Sequence, residues 1–257
     1  MEHAMDHHEA GFATPQVQRV EASRPLLWLS RGWSDLKRAA GPSLGYGLWV
    51  AAFGVALRAV AWRYTYLVPA LVGGFLLVAP FVAIVFYALS QQIERAQKVD
   101  GGAAVFAWRR NFGSIALWGL VLTLALILWE RVAAIIFALF YGGEVQALNT
   151  LAADVLFSGR YIPLLVAYFG AGGLFALTVF VFGVITAPML LDRGVDVVTA
   201  ALTNLRCCLA NPRATLVWAA LIALLTAVGF ATLMLGLVVV FPLLGHASWH
   251  AYRDMVR

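Results

Sequence analysis

By length, the 257 residues would suit one or two soluble domains, but the composition excludes that class. Hydrophobic residues make up 62% of the chain and charged residues 12%. A soluble domain carries about 45–50% hydrophobic residues and about 25% charged residues. A chain with so little charge cannot cover its surface in water, so lipid must cover it. The net charge of +5 comes without a run of basic residues, which argues against nucleic-acid binding and fits the cytoplasmic loops of a membrane protein.

Charge-free runs predict the fold class, which is an all-α polytopic membrane protein. About 20 apolar residues are needed to cross a hydrocarbon core of about 30 Å. The runs indicate six transmembrane helices, at about 43–62, 66–90, 113–141, 162–190, 214–229 and 231–250. The last two share one charge-free run, in which Gly229 is the predicted hinge. We expect residues 1–23 to form a disordered, His-containing cytoplasmic tail, followed by a six-helix transmembrane domain at 24–257.

The positions of Lys and Arg orient these helices. If both termini are cytoplasmic, most of the 18 Lys and Arg residues lie on the cytoplasmic side. Five helices would instead leave Arg253 and Arg257 on the outside. We therefore expect six helices in three hairpins, with the N- and C-termini in the cytoplasm.

Amphipathic cytoplasmic segments precede the first and the third hairpin. In the first segment, the apolar face holds Leu29, Trp33 and Leu36, and Asp35 lies opposite. In the third, apolar residues at the helical period run from Val195 to Leu209. We expect both segments to form helices that lie on the inner leaflet of the membrane.

A helix breaker, a tryptophan and a proline recur in each hairpin. The breakers before the outgoing helices are Gly41-Pro42, Asn111 and Asn211-Pro212. The tryptophans that follow are expected at the headgroup level: Trp49, Trp118 and Trp218. Each returning helix carries a proline that removes a backbone hydrogen bond and predicts a kink: Pro80, Pro188 and Pro242. Because lipid cannot satisfy the freed carbonyl groups, we expect these three helices to pack inward.

Three charged residues interrupt the apolar runs and form a candidate cluster within the membrane: Arg58, Glu130 and Arg131. A charge in the hydrocarbon core costs about 2.5–3.5 kcal/mol on insertion scales, so it should be paired. We expect Glu130 to pair with Arg58 or Arg63 and to join the first and third helices. The alternative is a functional proton or cation site at Glu130.

His246 and His250 lie four residues apart and therefore share one face of the last helix. One interpretation is half of a metal or haem site. The favoured interpretation places both rings at the cytoplasmic interface, bonded to backbone groups or lipid headgroups. His3, His7 and His8 of the tail could bind a divalent ion, although a tail without such a role is favoured.

Catalytic signatures are missing from the sequence. The motifs of serine hydrolases, zinc proteases, phosphate loops and dinucleotide sites do not occur. Cys207 and Cys208 are the only cysteines, and two adjacent thiols cannot build a disulfide framework or a Cys-rich zinc site. We therefore expect a protein that is not an enzyme and that carries no cofactor. A reduced structural pair of thiols is favoured over acylation.

Three segments carry a resemblance to a known family: 24–36 (RPLLWLSRGWSDL), 188–193 (PMLLDR) and 242–256 (PLLGHASWHAYRDMV). They resemble the N-terminal, middle and C-terminal signatures of an uncharacterised bacterial integral-membrane family, domain of unknown function 2189. The resemblance covers roughly residues 20–257 and implies a multi-pass protein of the bacterial plasma (inner) membrane. It implies no activity, so no functional residue is transferred. Some members carry the label of cytochrome c oxidase subunit, but five histidines cannot supply a catalytic haem–copper core.

The sequence favours a non-enzymatic accessory protein that binds another membrane protein complex within the lipid bilayer. A place beside a respiratory complex is one form of that role. The alternative is a carrier or channel for a lipid or a small solute, since repeats and broken helices are typical of transporters. Its polar groups would be Thr123, Thr178, Thr186 and Thr226. A polar cavity would favour transport, and an apolar outer groove would favour partner binding.

Overall fold

Every regular element that the structure describes is helical, as the sequence predicts. The computed structural model describes residues 15–64, 68–141 and 158–257. The helices are α1 (Arg24–Arg38), α2 (Ala40–Arg63), α3 (Val68–Glu94), α4 (Gly101–Val105), a 3-10 helix (Ala107–Asn111), α5 (Phe112–Phe140), α6 (Ile162–Gly183), α7 (Thr186–Asp192), α8 (Val197–Ala210), α9 (Pro212–Ala231) and α10 (Leu237–Met255). Within the described ranges, the isolated β-bridge is that between Val17 and Val256.

The helices occupy the six apolar stretches of the sequence. Four helical stretches of the described residues are long and apolar enough to cross a membrane: Ala40–Arg63, Gly101–Phe140, Ile162–Asp192 and Pro212–Ala231. α3 and α10 are not among these four. In α10 the reason is the polar second half, which runs from His246 to Asp254. Over the residues that the structure describes, the chain is thus an all-helical membrane protein with four candidate spans.

The long apolar run near the C-terminus is divided, but not at Gly229. A turn covers residues 232–236, and α10 begins at Leu237. Leu233 and Met234 take left-handed backbone conformations in this turn, with φ of 55° and 73°. Gly229 instead allows α9 and α10 to approach closely, because a side chain there would collide with Leu237.

The three prolines of the returning helices occupy two kinds of position. Pro80 and Pro242 lie inside continuous helices, α3 and α10. Pro188 lies in the first turn of α7, after a break at 184–185 that separates α7 from α6. Two helices therefore replace the single predicted helix 162–190.

Five helix ends meet at one end of the bundle. The first turn of α2 carries Ser43, and the last turns of α3 carry Ser90; both hydroxyls bond to His246 on α10. Asn111, which precedes α5, donates to the carbonyl of Leu190 on α7 at 3.0 Å. We call this the polar end: the first turns of α2 and α5 together with the last turns of α3, α7 and α10. Along the chain, helices that begin at the polar end therefore alternate with helices that end there.

Both ends of the described chain lie at the polar end. The N–H of Gln16 donates to the carbonyl of Arg257 at 3.0 Å, and the N–H of Arg257 donates back at 2.9 Å. The N–H of Val20 donates to the side chain of Asn211, directly before α9, at 2.7 Å. These bonds hold the N-terminal segment against the C-terminus and against the start of α9.

Within the expected tail of residues 1–23, residues 16, 18 and 20 form hydrogen bonds with the rest of the fold, and residues 1–14 lie outside the described residues. The sequence contains no signal for this pairing, because a short polar segment gains its backbone partners only from the distant C-terminus. The tail histidines lie outside the described residues: His3, His7 and His8.

The core lies at the polar end, and apolar side chains cover the outside elsewhere. Buried segments include 83–91 of α3, 185–191 at α7 and 244–249 of α10. The inward packing expected of the proline-bearing helices is confirmed for these segments. On α5 and α6, large exposed apolar side chains form a surface suited to lipid: Leu124, Ile127, Leu128, Ile135, Leu139, Val166, Phe169 and Leu174.

Both amphipathic segments are helices with apolar side chains on the outside. On α8, Val198 and Leu209 are 65% and 71% exposed, as expected of a helix on a lipid surface. On α1, Trp33 is exposed, whereas Asp35 is buried. The expected place of Asp35 on a polar, outward face is wrong, because hydrogen-bond partners on α3 and α10 satisfy its carboxylate inside the protein.

The three repeated tryptophans do not share one environment. Trp49 is 76% exposed, which suits the headgroup level. Trp118 and Trp218 are buried instead, and Trp218 packs edge-on against Trp28 with 5.7 Å between ring centres. The interfacial prediction is wrong for these two, because α5 and α9 turn them toward the core helices.

Candidate functional site

A buried chain of hydrogen-bonded side chains crosses the polar end. His246 is fully buried; its Nε2 lies 2.9 Å from Ser43 Oγ, and its Nδ1 lies 2.8 Å from Ser90 Oγ. Ser90 donates to Oδ2 of Asp35 at 2.7 Å. The same oxygen lies 2.8 Å from Nε2 of His250. This relay, Ser43–His246–Ser90–Asp35–His250, joins α2, α10, α3 and α1.

The network assigns the proton positions in the relay. Ser90 donates its single proton to the carboxylate of Asp35, so it accepts from the Nδ1–H of His246. Nε2 of His246 then accepts from the hydroxyl of Ser43. A neutral His246 thus has a partner for each ring nitrogen, as a fully buried imidazole requires.

Asp35 is the buried carboxylate of the relay, and its partners keep it ionised. Burial alone would raise the pKa of Asp35. The hydrogen bonds from His250 and Ser90, together with the electrostatic attraction of His250, outweigh burial and hold that pKa below its ordinary value of 3.8.

Asp192, the last residue of α7, is the centre of a second polar cluster. Its Oδ1 accepts from Gln91 at 2.7 Å and from Arg95 at 3.3 Å. Its Oδ2 accepts from the hydroxyl of Tyr252 at 2.8 Å and lies 3.5 Å from Arg253. The cluster therefore ties α7 to the ends of α3 and α10.

Asp254 is the centre of a third cluster, which ties α1 to α10. The indole N–H of Trp28 donates to its Oδ2 at 2.9 Å. Arg24 pairs with the same oxygen at 2.9 Å, and Arg31 lies 3.7 Å from Oδ1. Arginines therefore pair with Asp192 and Asp254, and hydrogen bonds from Ser90 and His250 satisfy Asp35.

The three segments that carry the family resemblance converge at these clusters. The first supplies Asp35, the middle one Asp192, and the C-terminal one His246. Sequence reasoning identified His246 but missed its partners Ser43 and Ser90. A single serine in an apolar helix carries no signal until the packing shows which residue it faces.

The relay does not take the form of a metal site. Both ring nitrogens of His246 are engaged by serines, and His250 bonds to Asp35. In the part of the chain that the structure describes, no group of three or more His, Cys, Asp or Glu residues could hold a metal ion. His246 bonds to serine hydroxyls rather than to the expected backbone groups or lipid headgroups, because the surrounding helices bury it.

Cys207 and Cys208 are free and buried on α8. Burial, together with the neighbouring thiol, raises the pKa of Cys207 to about 12, and burial also raises the pKa of Cys208. Both thiols are therefore protonated at neutral pH, and a protonated thiol is a poor nucleophile. This environment favours a structural role.

The charged residues predicted within the membrane are not brought together. Among the described residues, the ion pairs do not include Arg58, Glu130 or Arg131. The expected pair between Glu130 and Arg58 or Arg63 does not form. The reason is packing: α2 lies against α10 and α3, whereas α5 lies against α6 and α3.

A groove, here called the lateral groove, lies beside α3 between α2 and α5. It encloses about 610 Å³. Its lining includes Tyr46, Trp49 and Phe53 of α2, Phe75, Val82 and Val85 of α3, Trp108 of the 3-10 helix, and Phe112, Ile115 and Ala116 of α5. The groove starts at the polar end, where the hydroxyl of Tyr46 donates to the carbonyl of Gly101 at 3.0 Å. It reaches Phe53, roughly 20 Å from the start of α2 at 1.5 Å per residue.

Comparison with known proteins identifies a family over about half of the chain. Residues 67–192 match the model of a family described as predicted integral membrane protein, DUF2189. The match ends at Asp192, so the segments 24–36 and 242–256 lie outside it. No curated protein and no solved structure matches the chain. Over residues 67–192, the chain therefore belongs to the DUF2189 family of predicted integral membrane proteins.

Proposed function

We propose that the protein is a non-enzymatic membrane protein that binds a hydrophobic membrane component in the lateral groove. The groove is the observation that supports this most strongly. Its volume of about 610 Å³ lies within the roughly 300–1,000 Å³ of ligand sites, and its lining is almost wholly apolar and aromatic. Because it opens between two apolar helices, its occupant would enter sideways from the bilayer.

In this proposal the chain crosses the bacterial inner membrane six times, as three hairpins. Alternation of helix starts and helix ends at the polar end supports this, as does the pairing of Gln16 with Arg257. The polar end faces the cytoplasm, because most Lys and Arg residues lie at that end or beside it. Both termini are then cytoplasmic.

Binding accounts for the structure better than transport does. The hydroxyls of Thr123 and Thr178 donate to carbonyls of their own helices at 2.8 and 2.9 Å, and the hydroxyl of Thr186 donates to the carbonyl of Phe182 on α6 at 2.6 Å. They are thus occupied in backbone bonds and offer little to a polar path. Thr226 lies beside a second cavity of about 590 Å³, whose lining is also mainly apolar.

The relay is better explained as a structural element than as a catalytic one. Ser43, His246 and Asp35 are residue types of hydrolytic triads. However, Ser43 and His246 are both 0% exposed, and neither lines the lateral groove. A nucleophile must reach its substrate, so we assign the relay to holding α1, α2, α3 and α10 together.

A photo-crosslinking amino acid at Phe53 tests the proposed function. Phe53 lines the groove and is 43% exposed, whereas Leu124 is 57% exposed on the outer face of α5 and serves as the matched control. We expect a discrete adduct from position 53 that is absent from position 124. A lipid adduct or a subunit of a membrane complex, such as a respiratory one, would each support binding. The same diffuse adducts at both positions would contradict it.

A further inference from the structure

We infer that the lateral groove holds one acyl chain of an anionic phospholipid, with the lipid phosphate beside Arg109 at the polar end. This inference rests on the proposed binding function of the groove and names its ligand class. We call the end of the groove beside Trp108, at the polar end, its mouth. The shape of the groove, the charge at this mouth and the membrane depth of this mouth all support the inference.

The shape and lining of the groove fit an alkyl chain. Along α3 its lining runs from Phe75 to Val85, roughly 15 Å at 1.5 Å per residue. The groove encloses about 610 Å³ and is lined almost wholly by apolar and aromatic side chains. A single extended alkyl chain is slender enough to lie within it.

The charge at the mouth favours an anionic headgroup. Arg109 directly follows Trp108, which lines the groove. Its guanidinium lies 4.5 Å from the centre of the Phe106 ring and 5.6 Å from that of Trp108. Arg109 is exposed, and the ion pairs among the described residues do not use it. An exposed arginine on aromatic rings is suited to bind a phosphate at two of its N–H groups.

Two nearby arginines, Arg95 and Arg110, do have partners within the protein. Arg95 pairs with Asp192 at 3.3 Å, and Arg110 donates to Gln91 at 2.8 Å. Of these three arginines, Arg109 is therefore the one whose guanidinium lies outside the ion pairs and hydrogen bonds of the polar end.

The depth of the mouth matches the headgroup region of the cytoplasmic leaflet. Trp108 lines the groove just before the start of α5, and tryptophan is enriched at the membrane–water interface. The cytoplasmic leaflet carries the anionic lipids to which juxtamembrane basic residues bind. A phospholipid with its phosphate at Arg109 would therefore place its chain alongside Phe53 and Phe75.

Native mass spectrometry of the delipidated protein in detergent tests the inference. Phosphatidylglycerol and phosphatidylcholine with the same acyl chains would be titrated separately. A116F adds a ring inside the groove, and A134F adds the same ring to an exposed position on the same helix. R109Q removes the charge at the mouth, and R206Q removes an exposed charge on α8. Thermal unfolding would confirm that all four variants fold.

We expect the wild type, A134F and R206Q to bind one phosphatidylglycerol in preference to phosphatidylcholine. A116F should bind both lipids roughly tenfold more weakly, because its ring takes the space of the chain. R109Q should bind phosphatidylglycerol about fivefold more weakly and phosphatidylcholine unchanged. Equal loss in A116F and A134F, or an unchanged preference in R109Q, would overturn the inference. A protein adduct at position 53 would overturn it as well, while leaving the binding function intact.

Discussion

The indole N–H of Trp28 donates to Oδ2 of Asp254 at 2.9 Å and so joins residues that lie 226 positions apart. Trp28 is fully buried and packs edge-on against Trp218 of α9. Through this one side chain, α1 is fixed to α9 and α10 at once. The contact explains why a short helix outside the apolar runs is part of the core.

Replacement of Trp28 by Phe should therefore destabilise the protein by about 1–3 kcal/mol, since it removes the hydrogen bond and leaves a cavity. The matched control is W33F on the same helix, at a side chain that is 45% exposed; its effect should stay within about 0.5 kcal/mol. Unfolding in detergent, followed by circular dichroism, measures both. Equal losses of stability in W28F and W33F would show that Trp28 does not join α1 to α9 and α10 as described.

Removal of the Ser90 hydroxyl should cost about 1–3 kcal/mol, because S90A leaves Nδ1–H of His246 without its acceptor and Asp35 without one of its two donors. Ser30, an exposed residue of α1, provides the control variant S30A. The same unfolding measurement applies. If S90A is as stable as S30A, the relay does not hold the helices together.

Acid should lower the stability of the folded protein, because it protonates Asp35. Its pKa is lowered in the folded state relative to the ordinary 3.8, so its contribution is fully present above about pH 4. That contribution is lost as the pH falls from about 4 through the folded pKa. Tm measured between pH 6 and pH 3 should fall more steeply for the wild type than for D35N. Parallel acid curves for the two proteins would count against an ionised, partnered Asp35.

Gly47 and Gly45 should respond oppositely to alanine, although they lie two residues apart on α2. A Cβ at Gly47 would collide with the backbone of α10 at Val238, whereas a Cβ at Gly45 meets nothing within 4 Å. G47A should therefore destabilise the protein by about 1–3 kcal/mol. G45A should be neutral or stabilising by up to about 1 kcal/mol. Comparable stabilities would mean that α2 and α10 are not packed this closely.

The sequence predicts the helices well because charge-free length and hydrophobic period are local properties. The ends of α2, α5 and α9 lie within three residues of their predicted positions. Burial of polar residues is not local: Asp35 has the spacing of an outward-facing residue, and only packing against α3 and α10 shows that it is buried. For the same reason, Trp118 and Trp218 could not be distinguished from the exposed Trp49.

In the candidate site, too, the sequence predicts some residues, whereas others depend on the packing of distant helices. His246 attracts notice in the sequence because histidine is rare in apolar helices, but its role depends on serines that no motif marks. The lateral groove could not be predicted at all, since it arises from a separation between α2 and α5 that only the packing around α3 determines.

In the proposed topology, the chain crosses the membrane an even number of times and the polar end faces the cytoplasm. Reporter fusions after Arg257 and after Gly159 test it most directly, with green fluorescent protein for the cytoplasm and alkaline phosphatase for the opposite side. We expect fluorescence without phosphatase activity after Arg257, and the reverse after Gly159, which follows three crossings. Active phosphatase after Arg257 would contradict the account, because Gln16 and Arg257 lie together at the polar end.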